Sequence, residues 1–406
     1  MKDVIGIDIG NEYAYVSFYK DGMDKPQTIS PFAGSEKYAI PVEIARDASK
    51  REWVFGSRLM DQNVRDRLMI KKNLLDNAFE YVDNPDLAEE HCRILGAFFG
   101  YLFNLAKKNG VEKNDASVVL TTDKLDKKRA GILKKALYEC DIKDADIYMV
   151  NHKESFFFFL ANQTYDRWLH DVVLFEYNAG AMIEYYFTKN NSTKPPLVSI
   201  TTGRVDEFTG FMDDAQKDIA FEAYLNKAFD RKNISTVYLV GDGFNGDWLN
   251  NSLGVLCKNR KVFSGKNLFT SGACYYPFSE EKRDMIYVGD SMMQCDFSMD
   301  IRVGKSKGEV NLINAGDNLY RSFCSCDILL DDEPSINIKS KKFMSSDAHI
   351  NVLELSGMER RPAKATRVNL RIEPTDNNTV NVTIKDLGMG EIYPSSSKTW
   401  NFSVGE

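Results

Sequence analysis

The sequence predicts an α/β protein of two lobes that share a cleft, followed by an all-β domain. Apolar strands alternate with helices through residues 1–283, a rhythm typical of parallel sheets covered on both faces. A pattern of strand, acidic residue, small-residue turn and strand occurs twice, at 4–19 and 171–187. From about residue 284 helical spacing gives way to short alternating runs separated by turn residues, the pattern of a β-sandwich. We therefore predict lobes at 1–165 and 166–283 and a β-sandwich at 284–406.

Composition and charge argue against several classes of protein. The 406 residues suffice for at least two cores, and 43% hydrophobic and 27% charged residues are globular values. The net charge of −7 argues against a nucleic-acid partner, because a protein that binds phosphate backbones presents a basic face. No apolar run approaches the roughly 18 residues of a membrane span, so we expect no membrane partner. The first residues lead directly into a strand, and we expect no secretion signal.

The seven cysteines are scattered through the chain and odd in number. This pattern favours reduced thiols in a cytoplasmic protein over a disulfide framework. Cys324 and Cys326 share one face of a predicted strand, but the four histidines are not spaced to complete a metal site with them. We expect a cytoplasmic protein with buried thiols.

The first predicted hairpin has features of a phosphate-binding turn. Its first strand, 4–9, carries Asp8 near the carboxyl end, Gly10 opens the turn, and 13–19 form the returning strand. Amides at such a tip can donate to phosphate, glycine permits close approach, and an aspartate can orient Mg²⁺ through water. An ordinary hairpin of an α/β domain has the same pattern, so this stretch alone does not decide between them.

The later elements are predicted from apolar spacing and from turn residues. A proline at 85 and Gly110 bound a long amphipathic helix at 86–109. The other predicted helices are 57–78, 124–140, 154–163, 213–232, 247–256 and 267–275. Strands are predicted at 53–56, 116–121, 145–150, 171–175, 181–187, 195–200 and 236–240. In the β domain they are predicted at 285–288, 295–301, 323–329, 336–339, 350–355, 366–372, 379–384 and 398–404, with 303–308 as a linker or loop.

Taken in order, these pieces resemble the actin-like ATPase superfamily, which includes actin, sugar kinases and the seventy-kilodalton heat-shock chaperones. Five segments carry the resemblance: 7–13 and 175–180 as phosphate motifs, 150–155 and 268–275 as connecting helices, and 239–244 as the adenosine motif. Among the branches the heat-shock chaperones are the most similar. Segments 311–316, 353–357 and 382–388 resemble their β-sandwich substrate domain, and we expect no helical lid after it. The whole pattern looks like an uncharacterised bacterial family of chaperone-like proteins.

The resemblance implies roles for individual residues. Asp8, Lys71 and Glu176 would be catalytic, and Asp8 would hold Mg²⁺ through water. Contacts to the nucleotide would come from Gly10, Asn11, Glu12, Asn178, Gly180, Gly241, Gly243 and Phe244. The cofactor would be ATP or ADP with Mg²⁺, although the departures from the family pattern leave a protein without nucleotide open.

These departures affect the predicted function. Asn11 and Glu12 stand where the family has hydroxyl residues, and a carboxylate there would repel phosphate. Glu176 replaces the expected acid, and Asn178 with Ala179 restricts the close approach that a run of glycines allows. His152 stands where the family usually has a catalytic glutamate. The span 180–241 is short, so we expect the outer subdomain that supplies half of the adenine pocket to be reduced or missing.

We therefore expect a chaperone-like protein with a degenerate nucleotide-binding lobe and a β-sandwich that binds a protein or peptide client. An active Mg-ATP-dependent chaperone ATPase is the first alternative, since phosphoryl transfer depends mainly on placing Mg²⁺ and a water. An actin-like filament or scaffold protein is the second. A sugar kinase is the least favoured, because nothing after residue 284 belongs in one.

Overall fold

The computed structural model describes residues 2–32, 34–47, 52–56, 59, 68–80, 84–178, 180–208, 212–278, 284–331 and 333–405. The chain divides into two compact units, unit 1 at 1–287 and unit 2 at 288–406. The division falls four residues after the predicted end of the second lobe. In the described residues, no helix combines the length and the apolar character needed to cross a membrane.

Unit 1 alternates strands and helices. Its helices are α1 (Leu74–Glu80), α2 (Pro85–Lys108), α3 (Lys127–Tyr138), α4 (His152–Ala161), α5 (Asp214–Ala228), α6 (Asn251–Leu256) and α7 (Leu268–Tyr275). Its strands are β1 (Asp3–Ile9), β2 (Tyr13–Tyr19), β3 (Gln27–Thr28), β4 (Ile40–Pro41), β5 (Ile44–Asp47), β6 (Glu52–Val54), β7 (Met69–Lys71), β8 (Ala116–Thr122), β9 (Ile147–Asn151), β10 (Asp171–Asn178), β11 (Ala181–Asn190), β12 (Leu197–Arg204), β13 (Ile234–Val240), β14 (Lys261–Gly265) and β15 (Ile286–Tyr287).

Two sheets of unit 1 repeat one strand order. The first runs β3-β2-β1-β8-β9, with β4 also pairing with β2, and the second runs β15-β12-β11-β10-β13-β14. Numbered from the first strand of each sheet, both contain the order 3-2-1-4-5. In both, strands 1, 2 and 3 are antiparallel neighbours, while strands 4 and 5 run parallel to strand 1. The two halves of unit 1 therefore share one topology.

Helices α4 and α7 lie between these two sheets. Helix α7 packs on β1, β2 and β8 of the first sheet and on α4. Helix α4 packs against the second sheet through Phe156, whose ring contacts Tyr185 and Tyr238. The two helices approach so closely that a Cβ at Gly272 would overlap the carbonyl of Ser155. Glycine at this position allows the helices to join the two sheets into one unit.

Two local predictions failed in unit 1. The prediction of helix through 57–78 is wrong at β7, which pairs with β5 in a small three-stranded sheet; residues 57–58 and 60–67 lie outside the described residues. Leu68 and Ile70 pack against the small core of Ala45, Val54 and Leu59, a period of two that fits a strand. Strand β14 was not predicted, because only Val262 and Phe263 of its five residues are large and apolar.

Unit 2 consists of antiparallel strands in two four-stranded sheets. The strands are β16 (Cys295–Val303), β17 (Ser306–Ile313), β18 (Cys324–Leu330), β19 (Ser335–Lys342), β20 (His349–Glu354), β21 (Thr366–Pro374), β22 (Thr379–Asp386) and β23 (Thr399–Gly405). The sheet orders are β17-β16-β19-β20 and β18-β21-β22-β23, and inward residues of both sheets form one core. Residues 303–308, predicted as a linker or a loop, hold the turn of the hairpin between β16 and β17, and strand β17 itself was not predicted. The predicted strand at 285–288 is the short strand β15, which pairs with β12 in unit 1.

A buried ion pair fixes the loops at one end of unit 2. The Arg361 guanidinium donates to both oxygens of Asp386, at 3.0 and 2.8 Å, and both side chains are at most 3% exposed. The amides of Gly388 and Ser396 also donate to this carboxylate, and Arg361 donates to the carbonyl of Pro394. Burial raises the pKa of Asp386, but Arg361 and the two amides outweigh burial and hold that pKa well below its ordinary value of 3.8.

We predict that Asp386→Asn lowers the free energy of unfolding of unit 2 by about 3–5 kcal/mol, because it leaves the Arg361 charge buried without its partner. Since the folded-state pKa of Asp386 is depressed, its contribution is fully present above the unfolded pKa of about 3.9 and is lost as pH falls through the lower folded-state value. Hydrogen exchange of the β22 amides in the full-length chain measures the effect.

The matched control is Asp300→Asn, which removes a carboxylate from an exposed pair with Lys339 in the same unit. We expect it to change β22 exchange far less, because exposed pairs are screened by water. Equal effects of the two substitutions would contradict a special role for the buried pair.

Candidate functional site

The carboxyl ends of the parallel strands in unit 1 bring three titratable side chains together. Asp8 lies near the end of β1, and His152 is the first residue of α4, directly after β9. Asn151 fixes that position with a capping box: its side chain accepts from the Glu154 amide, and the Glu154 carboxylate accepts from the Asn151 amide. Glu176 comes from β10 in the second sheet, within the strand and not in the predicted turn.

These residues and Tyr185 form a compact network, which we call the His152 cluster. His152 Nε2 lies 2.8 Å from Asp8 Oδ1, and its Nδ1 lies 3.6 Å from Glu176 Oε2. The Tyr185 hydroxyl donates to the same Glu176 oxygen at 2.8 Å. The Phe269 ring stacks on the imidazole, with ring centres 3.9 Å apart. The imidazole thus bridges carboxylates that belong to different sheets.

The carboxylates on both sides keep the His152 imidazole charged. Burial lowers the pKa of His152, but Asp8 and Glu176 outweigh burial and raise it well above the ordinary value of 6.5. Burial raises the pKa of Glu176, yet the His152 charge, with hydrogen bonds from Tyr185 and Asn178, brings that pKa below its ordinary value. Burial raises the pKa of Asp8 despite the nearby imidazolium. The cluster therefore holds an imidazolium between two acidic groups at neutral pH.

A second set of contacts links the ends of β10 and β13. The Asn178 side chain donates to Glu176 Oε1 at 3.1 Å and accepts from the Asp242 amide at 3.0 Å. Lys266 donates to the Asp242 carboxylate at 3.0 Å. The Asp242 amide belongs to the glycine-rich turn that was predicted to approach a nucleotide. This amide already donates to a side chain of the protein, that of Asn178.

Packing accounts for the glycines of this turn. Gly241 has φ of 108°, and a Cβ there would overlap the Tyr177 carbonyl and the Asn178 side chain. A Cβ at Gly243 would overlap the Tyr177 ring. Phe244 is buried, and its ring stacks on Trp248 with ring centres 5.9 Å apart. The turn is shaped around Tyr177, so its glycines do not require a ligand.

The tip of the first hairpin is also held by contacts within the protein. The Gly10 amide donates to the Tyr13 carbonyl, and Asn11 Oδ1 accepts from the Asp76 amide in the first turn of α1. The Glu12 side chain is exposed, while its carbonyl accepts from the Val42 amide. Asn11 therefore satisfies a helix amide at the position where the resemblance expects a phosphate contact.

The remaining predicted site residues lie in different surroundings. Lys71 is half-exposed and forms an ion pair with Glu90 of α2 at 3.2 Å. Gly180 is exposed, has φ of 75° and has open space where a Cβ would lie, so the turn alone accounts for it. Ala179 lies outside the described residues.

Sequence reasoning missed the partners that complete the site. Tyr185 is one residue of an alternating strand and carries no motif, and Phe269 reads as an ordinary helix residue. His152 was singled out only because it departs from the family pattern. The available signal was its place between an asparagine and a glutamate that form a capping box, since the first residue of a helix after a parallel strand lies at the ligand-binding edge of the sheet.

The donor set does not fit a Mg²⁺–nucleotide site. An ionised carboxylate such as Asp8 would orient the water shell of Mg²⁺. Here Asp8 Oδ1 hydrogen-bonds the imidazolium, and Glu176 accepts from Tyr185 and Asn178. A divalent cation would have to displace a positive charge from between these carboxylates.

Comparison with known proteins identifies a family. Residues 25–290 match the model described as "Family of unknown function (DUF5716) C-terminal", which covers more than half of the chain. The chain belongs to this family. The DUF5716 match ends three residues after unit 1, and residues 292–405 match the model described as "Domain of unknown function (DUF8552)". No curated protein matches the chain.

We predict that His152→Gln lowers the free energy of unfolding of unit 1 by about 3–5 kcal/mol near neutral pH, because it removes the positive charge between two buried carboxylates. The folded-state pKa of His152 is raised, so its contribution is fully present below about pH 6.5 and is lost as pH rises through the folded-state value. Urea unfolding of both proteins at about pH 6, 8 and 10 should therefore show a difference that narrows with rising pH.

His170→Gln is the control, because His170 is an exposed histidine of the same unit. We expect its unfolding midpoint to follow that of the unaltered protein at every pH. A difference for His152→Gln that stays constant or widens towards high pH would contradict a charged imidazole in the cluster.

Proposed function

We propose that this protein is chaperone-like, with an actin-like unit 1 whose nucleotide site is degenerate and a β-sandwich in unit 2 that binds a protein or peptide. The carrying observation is the His152 cluster, an imidazolium held between Asp8 and Glu176. The resemblance implies that acids at these two positions lie beside Mg²⁺ and the phosphates in a working ATPase. A charged side chain between them supplies internally the positive charge that the metal would bring.

The repeated strand order supports an actin-like unit 1. Two sheets of order 3-2-1-4-5 with two helices packed between them match the duplicated architecture that the resemblance implies. The carboxyl ends of the strands in the two sheets also bring Asp8, Glu176 and the turn at Gly241 together. His152 links the two acids, and Asn178 links Glu176 to the turn. These residues are far apart in sequence, and their convergence is what the resemblance predicts.

Contacts on the nucleotide side support degeneracy. The Asn178 side chain accepts from the Asp242 amide, the Asn11 side chain accepts from the Asp76 amide, and Phe244 is packed into an aromatic core. Between β12 and β13, the described residues contain α5 as the main element, so little chain is available to complete an adenine pocket. In the described part of the chain, the Asp76 and Asp242 amides and the Phe244 ring are thus already engaged within the protein.

The surface of unit 2 supports a protein or peptide partner. Ile350 and Val352 project from the outer face of the edge strand β20 and are 55% and 57% exposed. An edge strand offers unpaired backbone groups that an extended peptide can use, and neighbouring apolar side chains add affinity.

The seven free thiols support a cytoplasmic location, and the net charge of −7 supports a partner other than nucleic acid.

Calorimetric titration with Mg-ATP and Mg-ADP tests the nucleotide half of the proposal. We expect no binding by the unaltered protein, and none by Glu12→Thr, because removing the carboxylate at the hairpin tip neither frees the Asp242 amide nor creates a base pocket. Micromolar binding of Mg-ATP in the cleft of the unaltered protein would overturn the degenerate site and favour the active ATPase. A gain of binding in Glu12→Thr alone would make charge repulsion the cause of degeneracy.

Suppression of aggregation tests the protein-binding half. We expect the full-length protein to slow the aggregation of a chemically denatured protein without ATP, and Ile350→Ser with Val352→Ser to weaken this effect severalfold, because both changes remove exposed apolar contacts of β20. Light scattering measures the rate. Val303→Ser is the control, since Val303 is 71% exposed but lies at a hairpin turn. Equal loss in the control, or no suppression by the unaltered protein, would contradict peptide binding at β20.

A further inference from the structure

A surface cavity of about 400 Å³ lies in unit 1 where α5 and α6 end. Its walls come from the end of α5 with the turn into β13, and from the end of α6 with the turn into β14. Four cationic residues line it: Arg231, Lys232, Lys258 and Arg260. Asp230 is the one carboxylate among the described residues of its lining. The formal charge of the lining is therefore strongly positive in a protein of net negative charge.

Helix ends explain part of this charge. The carboxyl ends of α5 and α6 attract cations, but each full helix end carries only about −0.5 of an elementary charge, and α6 has just six residues. Four cations against one carboxylate leave a formal excess of three, which two such ends do not balance. The cavity keeps a positive potential suited to an anion.

Arg260 provides the specific donor. Its guanidinium lies over the Phe229 ring, with its central carbon 4.4 Å from the ring centre, and its Nε donates to the Lys258 carbonyl. Its Nη1 is buried and, in the described part of the chain, has no hydrogen-bond partner. Burial lowers the pKa of Arg260, so its charged form is poorly solvated here. A buried charged donor without an acceptor is costly, and because Arg260 lines the cavity, an anion bound there would stabilise its guanidinium.

We propose that this cavity binds the phosphate group of a small molecule, with Arg260 as the central donor. A phosphate group fits better than a carboxylate because it brings up to two negative charges and three strong acceptor oxygens to several cations. The volume suits a metabolite-sized ligand, either inorganic phosphate or a phosphate ester.

The cavity is separate from the His152 cluster. Ile234 in its lining begins β13, whereas Gly241 follows the other end of that strand. Seven strand residues span roughly 20 Å, so a ligand in the cavity does not reach the cluster. This proposal therefore does not depend on a degenerate nucleotide site.

Calorimetric titration of the full-length protein at fixed ionic strength tests the proposal, with inorganic phosphate and glucose 6-phosphate as probes. We expect binding of both, a loss of at least about tenfold in affinity for Arg260→Gln, and a severalfold loss for Lys258→Gln. Tighter binding of the ester would identify an ester as the preferred ligand, and equal binding would identify the free anion. The control Lys227→Gln removes an exposed charge on α5 outside the cavity and should bind as the unaltered protein does.

Three results would overturn the proposal: no binding of either probe, equal binding by the Arg260→Gln and Lys258→Gln variants and the unaltered protein, or an equal loss in Lys227→Gln. If Arg260→Gln fails to fold, the affinities of Lys258→Gln and Lys227→Gln for the two probes decide whether the cavity binds phosphate. The Arg260→Gln variant also separates the two sites in the Mg-ATP titration. An ATP signal that disappears in this variant comes from the cavity, and one that persists counts against the degenerate cleft.

Discussion

The charge of His152 and the carboxylates of Asp8 and Glu176 form the contact on which the arrangement of unit 1 depends. The three side chains are at most 14% exposed, and each charge would be costly there without the others. Because Asp8 comes from one sheet and Glu176 from the other, their mutual need for the imidazolium couples the edges of the two sheets. The close packing of Gly272 on Ser155 couples the same sheets through their helices. Two independent contacts thus favour one relative position of the sheets.

The elements that the sequence predicts well are those whose local pattern agrees with their tertiary surroundings. Strand β8 is buried along its whole length and reads as an unbroken run of apolar and small polar residues, and α2 begins at a proline with an apolar face. Strands β7 and β14 were missed because each is short and owes its conformation to pairing with a neighbour. Pairing with a distant strand leaves only a weak local signal in runs of three and five residues.

The site was predictable in its parts but not in its chemistry. The strand ends at Asp8 and Glu176 could be found, because acidic residues after apolar strands lie at one edge of a parallel sheet. The charge balance at these strand ends could not be predicted, because it requires the contact between His152 and both acids. Residues 8, 152 and 176 show no shared pattern in the sequence. Lys71 illustrates the same limit: the resemblance implied a catalytic role for it, but its ammonium group pairs with Glu90 on the surface.

The glycine-rich turn after β13 shows why a motif and a binding site are different observations. Its glycines are required by the Tyr177 backbone and ring, and its Asp242 amide is satisfied by Asn178. Packing alone therefore accounts for the glycines of this turn, and an asparagine side chain of the protein already accepts from its Asp242 amide. The useful question for such a turn is which atom accepts from its amides. In unit 1 the acceptor belongs to the protein at both turns: the Tyr13 carbonyl accepts from the Gly10 amide at the first, and Asn178 accepts from the Asp242 amide at the second.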